Sequence, residues 1–413
     1  MFSVDVKMAL RNVWRNPRRS ILTILAIAFA SLLLVFMLSW QFGSYDTMIN
    51  SAVKIHTGHL QVQAKGYQDK KNIRLVVSDP ATVGSVLEEI PAVAAYTFRT
   101  NAFSLVSSRE RTYGAVVIGI DPEKEAKVSN LERLIRQGSY LSADDSDQAL
   151  AGKLLIANLQ VGLGDELVVL GQGRDGSIAA TVVKVKGIFS SGQDEFDRST
   201  IHIPLRYFQD VYAMHGTVHE LVALGNSLEY VSEIKSRVED DIKKMEKNEH
   251  LVVLDWMELM PGLIQAIQMD LVSGFIFYII LIVVVAFSIL NTFLMAIFER
   301  TREFGVLMAV GAPPHRLTKL LLIESGSMTM VGIVIGIIAG SLITWYFQVH
   351  GIVISGSSEL MRHYGLPERM FPQLSALSVS IGAGLVLVIT FLTALYPALK
   401  VRRLRPVQAM MGV

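Results

Sequence analysis

The stretch ERTREFGVLMAVGAPPHRL, from Glu299 to Leu317, decides how the rest of the chain is interpreted. It lies between two strongly apolar segments, FIFYIILIVVVAFSILNTFLMAIF before it and LLLIESGSMTMVGIVIGIIAGSLITWYF after it. A plain connecting loop does not need the apolar side chains of this stretch, which are Phe304, Val306, Leu307, Met308 and Val310. We therefore predict that these side chains are buried against a partner that the chain itself does not contain.

The pattern within this stretch is typical of a short amphipathic helix. Phe304, Leu307 and Met308 follow i, i+3, i+4 spacing, with Val310 beside them. Glu299 and Glu303 would lie in its first turn, where carboxylates complement the helix dipole. Such a helix could be moved by a cytoplasmic partner, or it could lie passively among lipid headgroups.

Gly311, Pro313 and Pro314 predict the end of this helix. Glycine favours the left-handed conformation that ends helices, and proline cannot continue one. The break would then separate the short helix from the next apolar segment. Together these features tie the short helix closely to both of its neighbours.

The apolar residues of the chain are clustered. Of 413 residues, 51% are hydrophobic, and a helix of about 20 apolar residues spans a bilayer core. The chain therefore contains four predicted transmembrane helices, which cover Ile21–Trp40, Phe275–Phe298, Met328–Phe347 and Leu377–Leu399. The net charge of +1 gives no indication of nucleic-acid binding, and the absence of cysteine excludes disulfides and thiolate metal sites.

Three clusters of Lys and Arg predict the orientation of the chain. Short loops rich in these residues stay in the cytoplasm. With four crossings, the N-terminus, the 299–318 loop and the C-terminus all become cytoplasmic. The clusters are Lys7, Arg11, Arg15, Arg18 and Arg19; Arg300, Arg302, Arg316 and Lys319; and Lys400, Arg402, Arg403 and Arg405. A cleaved signal peptide ending near Ala28–Ala30 is the alternative for the first segment, and it exports the same large domain.

The region between the first two spans reads as a folded α+β domain. Period-2 patterns and β-rich runs predict strands, and 3.6-residue patterns predict helices. A change of composition near Asn226 suggests a second subdomain. The predicted strands are Leu60–Gly66 (half-buried), Ala115–Asp121, Gly162–Gly171 (a turn, then a strand) and Ile178–Phe189; the predicted helices are Pro80–Ile90, Asp147–Leu159 and Leu228–Met245.

A further helix, from about Met260 to Leu271, runs directly into the second span. If the two are continuous, the combined helix is longer than a bilayer requires and can carry motion across it. The alternative is two helices with a break at Ser273 and Gly274.

Motifs for catalysis or cofactor binding give little support to an enzyme. No GxxxxGK[ST] phosphate loop is present in the sequence. The glycines of Gly171–Gly176 favour a β-turn over a phosphate cradle. Residues Gly216–Val218 oppose a helical zinc site made by His202, His215 and His219. The carboxylates of Glu195–Asp197 favour a solvated loop over a catalytic pair, and a membrane-tethered enzyme is the weakest hypothesis.

Four segments resemble, in order, the FtsX-like, MacB-type ABC transporter permeases. MALRNVWRNPRRSILTILAIAF is similar to the family's N-terminal amphipathic helix and first span, and ERTREFGVLMAVGA is similar to its coupling segment. The periplasmic core is matched by RQGSYLSADDSDQALAGKLLIANLQVGLGDELVV and VKVKGIFSSGQDEFDRSTIHIPLRYFQDVY. YPALKVRRLRPVQAM resembles the C-terminal signature through Tyr396, Pro397, Ala398, Pro406 and Ala409.

The resemblance implies a mechanism and a set of partners. Two permeases, as a homodimer or heterodimer, would recruit a separate cytoplasmic ABC ATPase dimer, which binds ATP and Mg. This chain itself would bind no cofactor and no nucleic acid. Its coupling helix, Arg302–Gly311, would dock on the ATPase and move the second span and the outer domain. The implied coupling residues are Glu299, Arg300, Arg302, Glu303, Phe304, Gly305, Leu307, Met308, Val310 and Gly311.

Glu324 matches a glutamate near the start of the third span in relatives. A carboxylate inside a span is costly and often functional, whereas one near the interface can pair with Arg316 or Lys319. Both interpretations stay open from sequence. The chain departs from the family at Arg405 and Gln408, where acidic residues are usual, and in the stiffer Pro313–Pro314 joint.

The family branch indicates a cargo. Without a fused N-terminal ATPase, and with the GIF segment Gly187–Phe189, the chain resembles the lipoprotein-releasing permeases of the bacterial inner membrane. Extraction of lipoproteins or other lipidated cargo is therefore the leading hypothesis. A tripartite efflux pump subunit and a regulator of a cell-wall hydrolase are the alternatives.

These inferences predict a membrane α-helical protein with four transmembrane helices and a large α+β periplasmic domain inserted between helices 1 and 2. The predicted segments are a cytoplasmic amphipathic helix (1–20), transmembrane helix 1 (21–40), the periplasmic domain (41–270), transmembrane helix 2 (271–298), the coupling loop (299–318), transmembrane helix 3 (319–347), a periplasmic loop (348–373), transmembrane helix 4 (374–399) and a cytoplasmic tail (400–413).

Overall fold

The computed structural model describes residues 8, 11, 13–15, 17–245, 250–353 and 369–401. Contacts divide the chain into two compact units. The helical unit covers the described parts of 1–45, 267–353 and 369–413, and the sheet unit covers the described parts of 46–266. The predicted signature residues Pro406 and Ala409, and the departures Arg405 and Gln408, lie outside the described residues.

In chain order, the helices of the described residues are α1 (Pro17–Ala52), α2 (Tyr67–Lys70), α3 (Pro80–Glu88), α4 (Pro122–Val128), α5 (Leu131–Leu134), α6 (Lys153–Leu159), α7 (Asp194–Ser199), α8 (Leu205–Val211), α9 (Val231–Lys243), α10 (Trp256–Leu259), α11 (Pro261–Ala309), α12 (Pro314–His350) and α13 (Ala376–Val401). The strands are β1 (Leu60–Ala64), β2 (Val93–Ser107), β3 (Thr112–Ile120), β4 (Ile135–Gly138), β5 (Gln148–Gly152), β6 (Glu166–Gln172), β7 (Ile178–Phe189), β8 (Thr200–Pro204), β9 (Glu220–Gly225), β10 (Leu251–Asp255), β11 (Ile352–Val353) and β12 (Arg369–Met370).

Four helices among the described residues are long and apolar enough to cross a membrane, as the sequence predicts. They are α1 with the π-helical turn Val53–Thr57 that follows it, the part of α11 up to Met295, α12, and α13 as far as Leu399. Helix α11 is continuous across Ser273 and Gly274. The prediction of one long helix is therefore confirmed, and the alternative with a break is wrong.

Small residues let α12 lie close to α1. A Cβ atom added at Gly336 would lie 2.5 Å from the carbonyl oxygen of Ala28 and 2.5 Å from the Cβ of Ser31. Gly332 and Gly340, one turn to either side, face Ile27 and Leu32 in the same way. This spacing of glycines four residues apart is a common basis of close helix packing in membranes.

The sheet unit is built on a mixed sheet in which ten of the described strands pair. The order is β10-β1-β9-β2-β3-β8-β5-β7-β4, with β6 paired to β2 and β7. Two pairs, β3 with β8 and β5 with β7, are parallel, and the others are antiparallel. Strands β9 and β10, on either side of Asn226 in the chain, both pair with β1. The predicted second subdomain is therefore wrong, because one sheet crosses that boundary.

Two local predictions in this unit are corrected. Asp147–Leu159 is not one helix, because Gln148–Gly152 forms the central strand β5 and only Lys153–Leu159 is helical. A short buried apolar run does not distinguish a strand from a helix. Strand β1 is buried at every residue, Gln61 and Gln63 included, rather than half-buried as its alternation predicts. The strand Ile178–Phe189 and the helix Pro80–Glu88 are confirmed.

Helix α9 confirms the amphipathic pattern of its segment. Val231, Ile234, Val238 and Ile242 are all buried, at i, i+3, i+7 and i+11 spacing. Of the predicted loop 348–373, the described parts include the short antiparallel pair of β11 and β12.

Candidate coupling site

The predicted coupling segment is the end of a long helix. Helix α11 runs without interruption to Ala309, so Glu299 and Glu303 lie inside it and not in a first turn. The predicted complementarity to a helix dipole is therefore wrong. The end of the helix is as expected: Gly311 has a φ of 101°, and α12 begins at Pro314. Proline then starts the next helix where its missing N–H costs nothing.

Glu299 and Glu303 pair instead with the N-terminal part of the chain. Nη1 of Arg19 donates to Oε2 of Glu299 at 2.8 Å, and Arg15 pairs with Glu303. Arg15 and Arg19 are four residues apart, and so are Glu299 and Glu303, so the two ion pairs lie one helical turn from each other. We call these two pairs the outer ladder. Arg15 and Arg19, expected only to set topology, therefore also form ion pairs with the coupling segment.

The apolar side chains of the segment divide into two groups. Phe304 is 3% exposed and packs with Ile297 and Leu317, and Met308 lies partly buried against that cluster. The prediction that all of them await a partner is therefore wrong for Phe304. The exposed group is Val306, Leu307 and Val310, which we call the coupling face; Val310 is 82% exposed.

Glu324 is buried and paired. Nη1 of Arg300 lies 2.8 Å from its Oε2 and 3.1 Å from its Oε1. Both side chains are about 5% exposed or less. Arg300 was not among the partners weighed from the sequence, Arg316 and Lys319. The pair links α11 to α12 one helical turn before Phe304, within a part of the bundle where an unpaired charge is very costly.

A small cavity lies beside this pair. It measures about 30 Å³, which is room for at least one water molecule. Glu324, Arg19, Thr23 and Pro397 are among its lining residues. Pro397 of the C-terminal signature lies inside α13, and the carbonyl oxygen of its neighbour Ala398 accepts a hydrogen bond from Thr318 at 3.2 Å. The described part of the signature, around Pro397 and Ala398, therefore lies next to the coupling segment.

The three histidines of the disfavoured zinc site lie in different environments. No group of three metal-ligating residues occurs within the described part of the chain. His215 is exposed beside Asp210, whereas His202 and His219 are buried. Burial lowers the pKa of His202 to about 3 and that of His219 to about 4. Both are therefore neutral near pH 7. His202 packs against the rings of Phe189 and Phe196, whereas His219 accepts a hydrogen bond from the backbone N–H of Asn101.

Two loop predictions have different outcomes. Residues Glu195–Asp197 are helical rather than a solvated loop, and Asp197 is buried. Its Oδ1 accepts from the backbone N–H of Ser191 at 2.8 Å and from the hydroxyl of the same residue at 2.7 Å. The β-turn in Gly171–Gly176 is confirmed, since the N–H of Gly176 donates to the carbonyl of Gly173 at 3.0 Å between β6 and β7.

Sequence reasoning missed a buried ion pair in the sheet unit. Arg99 on β2 is 1% exposed and donates to both oxygens of Glu125, at 2.9 and 2.6 Å. Burial raises the pKa of Glu125, but the guanidinium lowers it further, so the pKa lies below its usual range. Arg99 also donates to the carbonyl of His56 in the π-helical turn. An arginine in the middle of a β-rich run was the available signal.

Four membrane-length helices, an α+β domain inserted after the first, and a charged helix end with an exposed apolar face define a multi-pass membrane protein of the permease class. Two family descriptions match the chain. The MacB-like periplasmic core domain covers residues 20–240, and the FtsX-like permease C-terminal region covers residues 275–406. The chain therefore belongs to the FtsX-like, MacB-type family of ABC transporter permeases, and its inserted sheet domain is the periplasmic core of that family.

Curated relatives agree with this assignment at low identity. The lipoprotein-releasing system transmembrane protein LolC of Xylella fastidiosa is 23% identical over 408 residues, with 95% of this chain and 93% of the relative covered. The macrolide export ATP-binding/permease protein MacB of Hyphomonas neptunium is 24% identical, with 98% of this chain but 60% of the relative covered. The crystallised periplasmic region of MacB from Actinobacillus actinomycetemcomitans aligns with a TM-score of 0.37 at 14% identity, covering 52% of this chain and 94% of that one.

Proposed function

We propose that this permease subunit transmits the motion of a separate cytoplasmic ATPase dimer to its periplasmic domain, and thereby extracts lipoproteins or other lipidated cargo from the inner membrane. ATP and Mg belong to the ATPase, and this chain pairs with a second permease subunit. The full-length similarity to LolC supports the lipoprotein cargo. The similarity to MacB favours, as the second candidate, a subunit of a tripartite efflux pump.

The observation that carries the docking proposal is the coupling face. Val306, Leu307 and Val310 expose apolar surface at the end of α11, among charged residues such as Arg302 and Glu303. Next to this face, Phe304 and the Arg300–Glu324 pair hold α11 against α12. A force applied to a face that is fixed in this way moves the helix as a whole instead of bending a loop.

Docking is tested by the double substitution Leu307→Asp with Val310→Asp in the tagged full chain. We expect the ABC ATPase to be lost on affinity purification while the chain stays monodisperse. Met308 is left unchanged because it packs internally. The matched control is Leu163→Asp with Ile178→Asp, which introduces the same charges at apolar sites of similar exposure in the sheet unit. Full ATPase recovery with the coupling-face variant contradicts the proposal.

Orientation is tested by cysteine labelling, since the chain has no cysteine of its own. A cysteine at Val310 should react with an impermeant maleimide only after the inner membrane is opened. A cysteine at Ile178, which is 80% exposed, should react from the periplasmic side of an intact membrane. Labelling of Val310→Cys from the periplasm rejects a cytoplasmic coupling face.

Cargo is tested by a photo-crosslinking residue at Met269, an exposed position near the start of α11, with Met295 on the same helix as the control. The proposal expects acylated proteins to be captured at Met269 and not at Met295. Capture of an adaptor protein without any acylated protein supports the efflux alternative in its place.

A further inference from the structure

A cleft of about 520 Å³ in the sheet unit carries polar groups that no partner within the described residues satisfies. It lies against the face of β2 and β3, beside α7. Oε2 of Glu220 and Oδ1 of Asn101 are both buried there without a hydrogen-bond donor from the described part of the protein. Glu220 is 2% exposed, so its carboxylate is also shielded from bulk water. A buried acceptor of this kind is costly unless something donates to it.

The charges and rings around the cleft favour a cation. Glu195 and Glu220 line it together with the amide of Asn101, and Lys71 is the lining cation. Arg99 lies opposite Glu220 in the strand register, but its guanidinium is already bound to Glu125. An anion would therefore meet two carboxylates and one ammonium. Three aromatic rings complete the walls, those of Tyr67, Phe103 and Phe196.

Lys71 shows where an ammonium can lie in this cleft. Its Nζ lies 4.9 Å from the centroid of the Tyr67 ring and 3.6 Å from Oε1 of Glu220. That distance to Glu220 is too long for a hydrogen bond, and Nζ donates instead to Gln68 at 2.8 Å. Lys71 has a φ of 44°, so the chain holds this side chain from a left-handed backbone position. The resident ammonium leaves Oε2 of Glu220 and Oδ1 of Asn101 unsatisfied.

We propose that this cleft binds a primary ammonium group carried on an apolar chain, with Glu220 and Asn101 as its acceptors. The apolar chain lies against Phe103, which is 73% exposed, and Phe196. Lys71 is a competing cation that a ligand displaces. A charged hydrogen bond combined with aromatic contact is the usual way in which proteins bind alkylammonium groups. The inference goes beyond the proposed transport function and does not depend on the identity of the cargo.

The test uses the full chain in nanodiscs and ligand-observed saturation-transfer NMR. The probe is N-acetyl-lysine methylamide, and the matched control is N-acetyl-norleucine methylamide, which lacks the ammonium. The lysine probe is expected to bind, with the norleucine control and the Glu220→Gln variant each weaker by at least roughly tenfold. The Lys71→Gln variant should bind several-fold more tightly, because the competing cation is gone. Binding of the lysine probe is compared in nanodiscs with and without phosphatidylethanolamine, which shows whether the amine of that lipid headgroup already occupies the cleft.

Three outcomes in which the lysine probe binds overturn the proposal. They are equal binding of the lysine and norleucine probes, binding that is unchanged in Glu220→Gln, and weaker binding in Lys71→Gln. If Glu220→Gln does not fold, the Lys71→Gln arm and the norleucine comparison still decide the matter. The absence of lysine-probe binding in both the wild type and Lys71→Gln also rejects it.

Discussion

Arg300 on α11 and Glu324 on α12 form a buried ion pair in which a single guanidinium nitrogen lies within 3.1 Å of both carboxylate oxygens. Both residues come from segments where the sequence suggested a function, one in the coupling segment and the other in the third span. Their pairing joins the helix that ends in the coupling face to the helix that follows it. The pair is therefore a direct contact between α11, near its C-terminal end, and α12.

Removing one partner of this pair should destabilise the helical unit strongly. Glu324→Leu leaves a buried guanidinium without its carboxylate, and such losses cost about 3–5 kcal/mol. The double variant Arg300→Met with Glu324→Leu should recover most of this, because no uncompensated charge remains. Detergent-induced unfolding of the purified full chain measures both effects.

The same two variants separate a structural role from a functional one. A double variant that is stable but fails to couple ATP hydrolysis to cargo release shows that the Arg300–Glu324 pair has a role beyond packing. Wild-type stability in the single variant Glu324→Leu contradicts the burial argument, since it means that the guanidinium finds water or another acceptor.

The outer ladder should contribute much less to the stability of the helical unit than the buried Arg300–Glu324 pair does. Arg19 and Glu299 are partly exposed, with side chains 17% and 47% accessible, and surface pairs of this kind are worth about 0–1 kcal/mol. Arg19→Glu and Glu299→Arg should each destabilise the chain slightly, and the exchanged pair should restore it. A double-mutant cycle on the unfolding free energy measures the coupling. A coupling energy that does not fall at high salt contradicts an exposed pair.

The sequence predicts the transmembrane helices well because each one is a long, continuous run of apolar residues. About 20 apolar residues identify a bilayer helix whatever lies around it. The end of the helix at Ala309 and the break before Pro314 were also located correctly, but the burial of the side chains before that break was predicted wrongly. Phe304 and Val310 look equivalent in the sequence, and only the packing of Ile297 and Leu317 shows that one is buried and the other free.

Pairings between distant residues could not be predicted in this way. Three sets of ion pairs join residues that are far apart in the sequence. They are Arg300 with Glu324, Arg99 with Glu125, and the two pairs of the outer ladder. The sequence analysis explained Arg15, Arg19 and Arg300 by membrane topology and Glu299 and Glu303 by a helix dipole, and it did not single out Arg99 or Glu125. The error at Asp147–Leu159 has the same origin, since it is the pairing of β5 with β7 and β8 that makes a strand of an apolar run.

The contact between α1 and α12 should not tolerate a side chain at Gly336. In Gly336→Leu even the Cβ would lie 2.5 Å from Ala28 and Ser31, so the helices must separate. Overpacking of this kind costs about 1–3 kcal/mol, and often more when backbone is involved. The control is Gly326→Leu on the same helix, where nothing lies within 4 Å of the added Cβ. Unfolding of the two variants in parallel measures the difference, and equal stability contradicts the close packing.

Acid should destabilise the sheet unit through His219. Burial lowers the pKa of His219 from 6.5 to about 4. Its Nδ1 accepts from the backbone N–H of Asn101 at 2.9 Å, its Nε2 lies 3.0 Å from the carbonyl of Ile73, and its ring stacks on Tyr67. The accepted bond assigns the ring proton to Nε2. A second proton on Nδ1 would face the N–H of Asn101 directly, so the folded state resists protonation.

The sign of the pH effect follows from this depressed pKa. Between about pH 4 and 6.5 the unfolded state binds a proton on His219 that the folded state does not bind. The contribution of His219 to the free energy of unfolding is therefore fully present above this range and is lost as the pH drops through it. At about pH 5 the loss from His219 alone is about 2 kcal/mol relative to neutral pH. His219→Asn, whose amide oxygen can accept from Asn101, should lower stability at neutral pH and flatten the decline. Thermal melting followed by circular dichroism at several pH values compares the two slopes. Parallel slopes in the variant and the wild type mean that other groups, such as His59 and His202, carry the acid sensitivity.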